Sequence, residues 1–193
     1  MTASHMLLLV PFALALLLSK PAESAGVCQR PRPWTVNGMD PMAQARADKQ
    51  IVVLALMEAR ACGICVRQAK AMESLLTMLR QRERSYQLGN LYFMIVNHHM
   101  AAGSIRFIEE RVSFPVYQEN ANKQIWPAVD GAKDDIIVYD RCGGLVSHLK
   151  WPKSDLTKPH LWQAIHRAKW SKACCKQQTT EPPTISDGGK VEP

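Results

Sequence analysis

Residues 51–70 read IVVLALMEARACGICVRQAK, and this stretch decides the fold. Ile51 to Met57 is an unbroken apolar run rich in branched side chains, the composition of a strand covered on both faces. From Val66 to about Arg84, apolar residues recur at Val66, Ala69, Met72, Leu75, Leu76 and Leu79, which is helical spacing. Cys62 and Cys65 stand between the strand and the helix, three positions apart. Two sulfurs so placed can be a structural brace, half of a zinc site or a pair that exchanges electrons.

Outward from this centre the pattern continues. Leu91 to Val96, LYFMIV, predicts a second buried strand, and Ile105 and Ile108 behind Gly103 predict a short helix between Ser104 and Arg111. Phe114 to Ala132 reads as a loop. Ile136 to Tyr139 predicts a third strand, the Gly-bearing turn DRCGG follows, and Leu145 to Leu149 returns as a hairpin partner. Leu161, Ala164, Ile165 and Ala168 share one side of a last helix. Residues 27–48, with Pro31, Pro33, Pro41 and the stretch NGMD, read as an irregular lead-in. Residues 176–193 are polar, contain Pro and Gly, and read as a disordered tail. No internal repeat is visible. Strands alternating with helices and closing on a hairpin predict an α/β fold, a mixed central sheet flanked by helices with a C-terminal hairpin and helix.

The chain has 193 residues, enough for one domain, and its 47% apolar fraction argues against overall disorder. A net charge of +7 permits weak attraction to anionic surfaces, a heparin-like polyanion among them. Lys and Arg are spread along the chain, however, so the charge reads as a solvated surface and no nucleic-acid partner is assigned. Met6 to Leu18 is apolar throughout, interrupted by Pro11, and is too short to span a bilayer, which takes about 20 apolar residues. Its length suits a signal peptide over residues 1–24 with cleavage at 24–26, although His5 is the sole basic side chain ahead of it. The mature domain then covers 27–175. No other stretch is long and apolar enough to be transmembrane, so the expected product is secreted and extracellular. None of Asn37, Asn90, Asn97, Asn120 and Asn122 has a hydroxyl residue two places on, which excludes N-linked glycans there.

An oxidising compartment sets the expectations for six cysteines. If Cys62 pairs with Cys65, then Cys28, Cys142, Cys174 and Cys175 are structural disulfide candidates with three possible connectivities. A bond between adjacent Cys174 and Cys175 is strained, so each seeks a separate partner, with Cys28 and Cys142 available. A zinc site would want a second Cys-x-x-Cys or a pair of histidine ligands, and no metal ligand is assigned; His98-His99 is read as ending a strand. A purely structural Cys62–Cys65 bond remains the competing reading, though so small a ring contributes little loop entropy. Cys-x-x-Cys after a buried strand and opening a helix is the arrangement of thioredoxin-like redox proteins. The unpaired N–H groups and partial positive charge of a helix start stabilise a thiolate, and Arg60 and Arg67 push the same way. Cys62, nearer the strand, is the expected attacking sulfur and Cys65 its resolving partner. One position departs from the pattern: thioredoxin-like enzymes carry a cis-proline before the third strand, and here Asp134 stands there, where an acid facing the site would raise a thiol's pKa. Asn97 and Trp126 could assist a reactive sulfur in principle, with no spacing to support either.

Several stretches together, RPWTVNGMDPM (32–42), RQAKAMESL (67–75), IVNHH (95–99), FPVYQEN (114–120) and KDDIIVYDRCGGLVSHL (133–149), resemble the N-terminal domain of the selenoprotein P family, from about Cys28 to Cys174. The resemblance implies a secreted redox domain in extracellular antioxidant defence and selenium metabolism. In that family the first position of the motif is typically selenocysteine, bonded to the following cysteine, which gives that role to Cys62 with Cys65 as partner. Selenium is thus the one cofactor-like element implied, as selenocysteine at position 62 recorded as Cys; a true cysteine there, less ionised than a selenol, implies slower peroxide reduction. The implied partners are a thiol reductant, a hydroperoxide or disulfide substrate, and a cell-surface receptor or polyanion. The family's histidine-rich and selenocysteine-rich stretches have no counterpart in these residues, so the redox domain is expected without bulk selenium delivery. Two functional classes stay open: a peroxidase-like thiol or selenol oxidoreductase, and a non-catalytic carrier or receptor-binding domain.

Overall fold

The computed structural model describes residues 29–60, 63–171 and 175. The signal segment 1–24 with its cleavage window, Cys28, Cys62, Cys174 and the tail 176–193 lie outside the described residues.

The lead-in is more ordered than its prolines suggest. Asn37 and Gly38 take positive φ (51° and 78°) in a tight turn closed by the Val36–Met39 bridge. Asp40 then caps helix α1 (Pro41–Ala47), its carboxylate accepting the Ala43 N–H at 2.8 Å. Pro41 sits at the helix start, where no N–H is needed. The expectation of an irregular segment through residue 48 is corrected by this helix: a proline read as a breaker is here an initiator.

Strand β1 (Ile51–Met57) is buried at every residue. Helix α2 (Gly63–Gln81) starts ahead of Val66, taking Cys65 into its first turn, and a single turn, α3 (Glu83–Tyr86), follows it. Strand β2 (Leu91–Asn97) matches its prediction within a residue. A 3-10 segment (His99–Ser104) and helix α4 (Arg106–Glu109) fill the place of the predicted short helix. The stretch expected as a loop from Phe114 to Ala132 contains strand β3 (Val116–Gln118) and a 3-10 turn (Trp126–Val129). Strands β4 (Ile136–Tyr139) and β5 (Leu145–Leu149) form the hairpin, and α5 (His160–Trp170) closes the order.

The five strands lie in the order β3-β2-β1-β4-β5. β1 runs parallel to β2, and β2 to β3, while β4 is antiparallel to both β1 and β5. Parallel neighbours need a crossover, which α2 supplies between β1 and β2. The predicted mixed sheet flanked by helices is what forms. Period-two alternation in β1 then divides the core. Ile51, Val53, Ala55 and Met57 pack on one face with Ala69, Met72, Leu76 and Leu79 of α2 and with Leu161, Ala164, Ile165 and Ala168 of α5. Val52, Leu54 and Leu56 pack on the other with Met42 and Ala45 of α1, Trp34 and Trp126. Cys142, in the β4–β5 turn, is bonded to Cys175 beyond α5, with Cα atoms 5.2 Å apart. Trp151, just beyond β5, is exposed.

Candidate functional site

The candidate site residues gather at the carboxyl ends of the parallel strands. β1 ends at Met57, and the next residues, Glu58 to Arg60, lead toward α2. Asn97, the last residue of β2, is fully buried and pins that segment: its Oδ1 accepts the Ala59 N–H at 3.0 Å. Its Nδ2 donates to the Ala101 carbonyl at 3.0 Å and to Gln118 Oε1 at 2.7 Å. One buried amide therefore ties the approach to the cysteine motif to the turn after β2 and to the end of β3.

Cys65 is wholly enclosed and disulfide-bonded, to a partner outside the described residues. Its Sγ lies 3.2 Å from the Glu58 carbonyl oxygen. A sulfur so placed suits the resolving role. The expected attacker, Cys62, lies outside the described residues.

The charges around the motif differ from expectation in one respect. Arg60 donates to Glu58 Oε1 at 3.0 Å, so its charge is matched by that carboxylate rather than free to act on a sulfur. Burial pushes the Glu58 carboxyl up, but Lys133, 3.6 Å away, and Arg60 outweigh it, and its pKa falls below the usual value. Asp134, two residues before β4, takes φ 65° and donates its N–H to the Leu56 carbonyl at 3.0 Å. Its buried Oδ1 has no hydrogen-bond partner. Burial raises its pKa, the Asp135 and Glu58 carboxylates add to this, and Lys133 opposes. A carboxyl that resists ionisation thus occupies the position where a cis-proline is the rule; among the described residues the cis peptide is Trp151–Pro152, beyond β5.

A second group lies at the same sheet edge. Glu119 follows β3, and its side chain is 1% exposed, with both oxygens engaged. Oε2 accepts from Ile125 N at 2.9 Å and Trp126 N at 3.2 Å. Oε1 accepts the His99 N–H at 3.2 Å and faces His99 Nδ1 at 2.9 Å and His98 Nε2 at 3.6 Å. Burial pushes the Glu119 pKa up, but the His99 ring and the three N–H groups overcome it, leaving the pKa below the usual value. The histidine pair does end a strand, as expected, and it also converges on a carboxylate about which the sequence carried no signal, twenty residues away across β3. Trp126 donates its indole N–H to the Val96 carbonyl at 3.2 Å, so it serves the sheet end. Of the structural disulfide candidates, Cys142 and Cys175 are brought together, and Cys28 and Cys174 lie outside the described residues.

The family model described as "Selenoprotein P, N terminal region" matches residues 23–190. Selenoprotein P of Homo sapiens is 35% identical over 170 residues, covering 84% of this chain and 43% of the relative. Selenoprotein Pb of Danio rerio is 31% identical over 168 residues, covering 84% of this chain and 60% of the relative. The chain thus spans less than half the length of the human protein. Among solved structures, a candidate protein disulfide isomerase from Bacteroides thetaiotaomicron superposes with a TM-score of 0.55 at 13% identity, covering 78% of this chain and 94% of that one. BsSco, a member of the Sco family of cytochrome c oxidase assembly proteins, superposes with a TM-score of 0.53 at 9% identity, covering 76% and 96%. At these identities the likeness concerns fold, which is thioredoxin-like.

Proposed function

The chain belongs to the selenoprotein P N-terminal family, and from that premise we propose that it works as a secreted redox domain in which residues 62 and 65 exchange electrons with a hydroperoxide or a disulfide. In this reading the Cys62 thiolate attacks the distal oxygen of a hydroperoxide, the O–O bond breaks, and an alcohol and a sulfenate are formed. The sulfenate takes up a proton from solvent, the Cys65 thiol attacks the sulfur of the resulting sulfenic acid, releasing water and closing a disulfide, and two equivalents of an external thiol reduce that bond. With a protein disulfide as substrate the same pair passes through a mixed disulfide. Selenium at position 62 performs the same steps with a group ionised at neutral pH. Antioxidant defence and selenium metabolism are the setting this chemistry fits.

The observation that carries the reading is Cys65: an enclosed sulfur in the first turn of a helix after the central strand, already in a disulfide, with the Glu58 carbonyl oxygen 3.2 Å away. The test is thiol-dependent hydroperoxide turnover by the mature protein. Cys62→Ser is expected to fall to background while circular dichroism stays native, and Cys65→Ser to accumulate a sulfenate that a carbon-acid reagent traps. Turnover in Cys62→Ser equal to wild type removes the proposal.

A second, non-catalytic reading draws on one surface feature. Arg30, Arg32 and Lys150 border a single cleft with one acid, Asp130, an excess of basic side chains suited to a polyanion of a cell surface. It predicts retention on immobilised heparin that weakens steeply from low to physiological salt and is unchanged by Cys62→Ser.

A further inference from the structure

The three side chains at the carboxyl edge of β2 and β3 form a more specific arrangement than charge pairing requires. Glu119 Oε1 faces two imidazole nitrogens and a backbone N–H on one side, while Ile125 and Trp126 N–H groups hold its other oxygen in place. The two rings lie with centroids 4.1 Å apart, and His98 also packs on Trp126 at 4.6 Å. A cation bound between the three side chains satisfies both imidazole lone pairs and the carboxylate at once.

We propose that His98 Nε2, His99 Nδ1 and Glu119 Oε1 form a binding site for a zinc-class divalent transition metal ion, with a fourth position open toward solvent. The donor set suits that class: imidazole and carboxylate take zinc and its neighbours, and two histidines with a glutamate make a three-ligand site that leaves one position for water or an incoming group. The dimensions suit it too. Bonds of about 2.0–2.2 Å at tetrahedral angles put donor atoms about 3.4 Å apart. The carboxylate oxygen is 2.9 Å from one ring nitrogen and 3.6 Å from the other, and all three donors lie within 4.8 Å of one another. Seating an ion therefore asks for about 0.5 Å of movement between Glu119 and His99 and at most about 1.4 Å between the two ring nitrogens, taken up by the two partly exposed histidines while Glu119 stays in place.

The surroundings are built for a held ligand. Glu119 is fixed by its two backbone donors and by its own N–H, which donates to the Asn97 carbonyl at 3.1 Å, so the carboxylate is positioned before any ion arrives. His99 and Glu119 line a cleft of ≈ 790 Å³ shared with Asn120 and Asn122, which gives an entry path and room at the fourth position. One interaction is given up: His98 Nδ1 accepts the Met100 N–H at 3.4 Å, and coordination through Nε2 places a proton on that nitrogen. At that length the lost hydrogen bond is a weak one.

The test uses the mature chain with its disulfides intact, so that no thiol competes, stripped of metal by a chelator. Calorimetric titration with Zn²⁺ is expected to show one ion per chain, and Co²⁺ to give the intense visible absorption of a four-coordinate site. His98→Ala and His99→Ala are each expected to weaken binding by at least about tenfold, since loss of even an outer partner of a ligand costs that much. His160→Ala, on α5, should bind as wild type. Because Glu119→Gln can disturb folding, the carboxylate is probed in the unaltered protein by infrared: its carboxylate stretch should shift on adding Zn²⁺. The wild-type His98 and His99 ring resonances should likewise broaden first with substoichiometric Cu²⁺. Absence of stoichiometric binding tighter than about 100 µM, or full affinity in both histidine variants, overturns the site.

Discussion

Glu119 shows what one residue contributes here. Both of its oxygens are engaged inside the protein, so Glu119→Gln turns an amide N–H₂ toward backbone N–H donors and leaves them facing a donor. The expected loss is about 2–3 kcal/mol, read as a lower urea midpoint with an unchanged slope. The pH dependence follows from its pKa lying below the ordinary 4.5. Its stabilisation is complete above that value and is lost as pH falls through the folded-state pKa, so the gap between wild type and variant should close in acid. Asp134 works in the opposite sense: raised above 3.8, its contribution is present in acid and lost as pH rises through the folded value. At this scale the sequence was legible where chemistry is local. Cys65 is marked by its neighbour three places back and by the strand and helix beside it. Glu119 carries no such mark, because its partners come from the far side of a strand pairing that no spacing rule encodes.

Among the elements, β1 and the segment before β4 meet at a close approach. Gly131 lies so near Leu56 that an added Cβ would collide with the Leu56 Cδ1 atom. Leu56 is fully buried and has little room to turn, so Gly131→Ala should cost about 1–3 kcal/mol, measured by chemical denaturation. The longer elements were readable: β1 and β2 announce themselves as unbroken apolar runs, α2 and α5 by apolar residues at helical spacing. The hairpin of β4 and β5 was readable from Gly143 and Gly144 between two apolar runs. α1 was missed because Pro41 serves equally as a loop residue and as a first helical residue, and only the Asp40 side chain decides between them. β3 was missed because three half-buried residues present no alternation, and the strand exists through its pairing with β2.

For the molecule as a whole, Cys142–Cys175 closes a span of 33 residues that contains β5 and α5. Loop entropy puts its stabilisation at about 3–4 kcal/mol, so replacing both cysteines by serine should lower the melting temperature by about 10 °C, as read by calorimetry. The layered arrangement was legible because each helix showed its apolar stripe and each strand its run; the packing of α1 and Trp126 against the second face was not, since both lie in stretches whose composition reads as loop. That double-sided burial of β1 has a cost in the unfolded chain. Ile51–Met57 is seven residues long, uncharged, free of proline and rich in branched side chains, the signature of a segment that stacks with copies of itself. In the native molecule β2 and β4 occupy both of its edges and shield it. Once heat opens the sheet, the same ribbon becomes a seed for aggregation. Loss of the protein on warming is then governed by how fast it opens and how concentrated it is, and cooling does not bring it back.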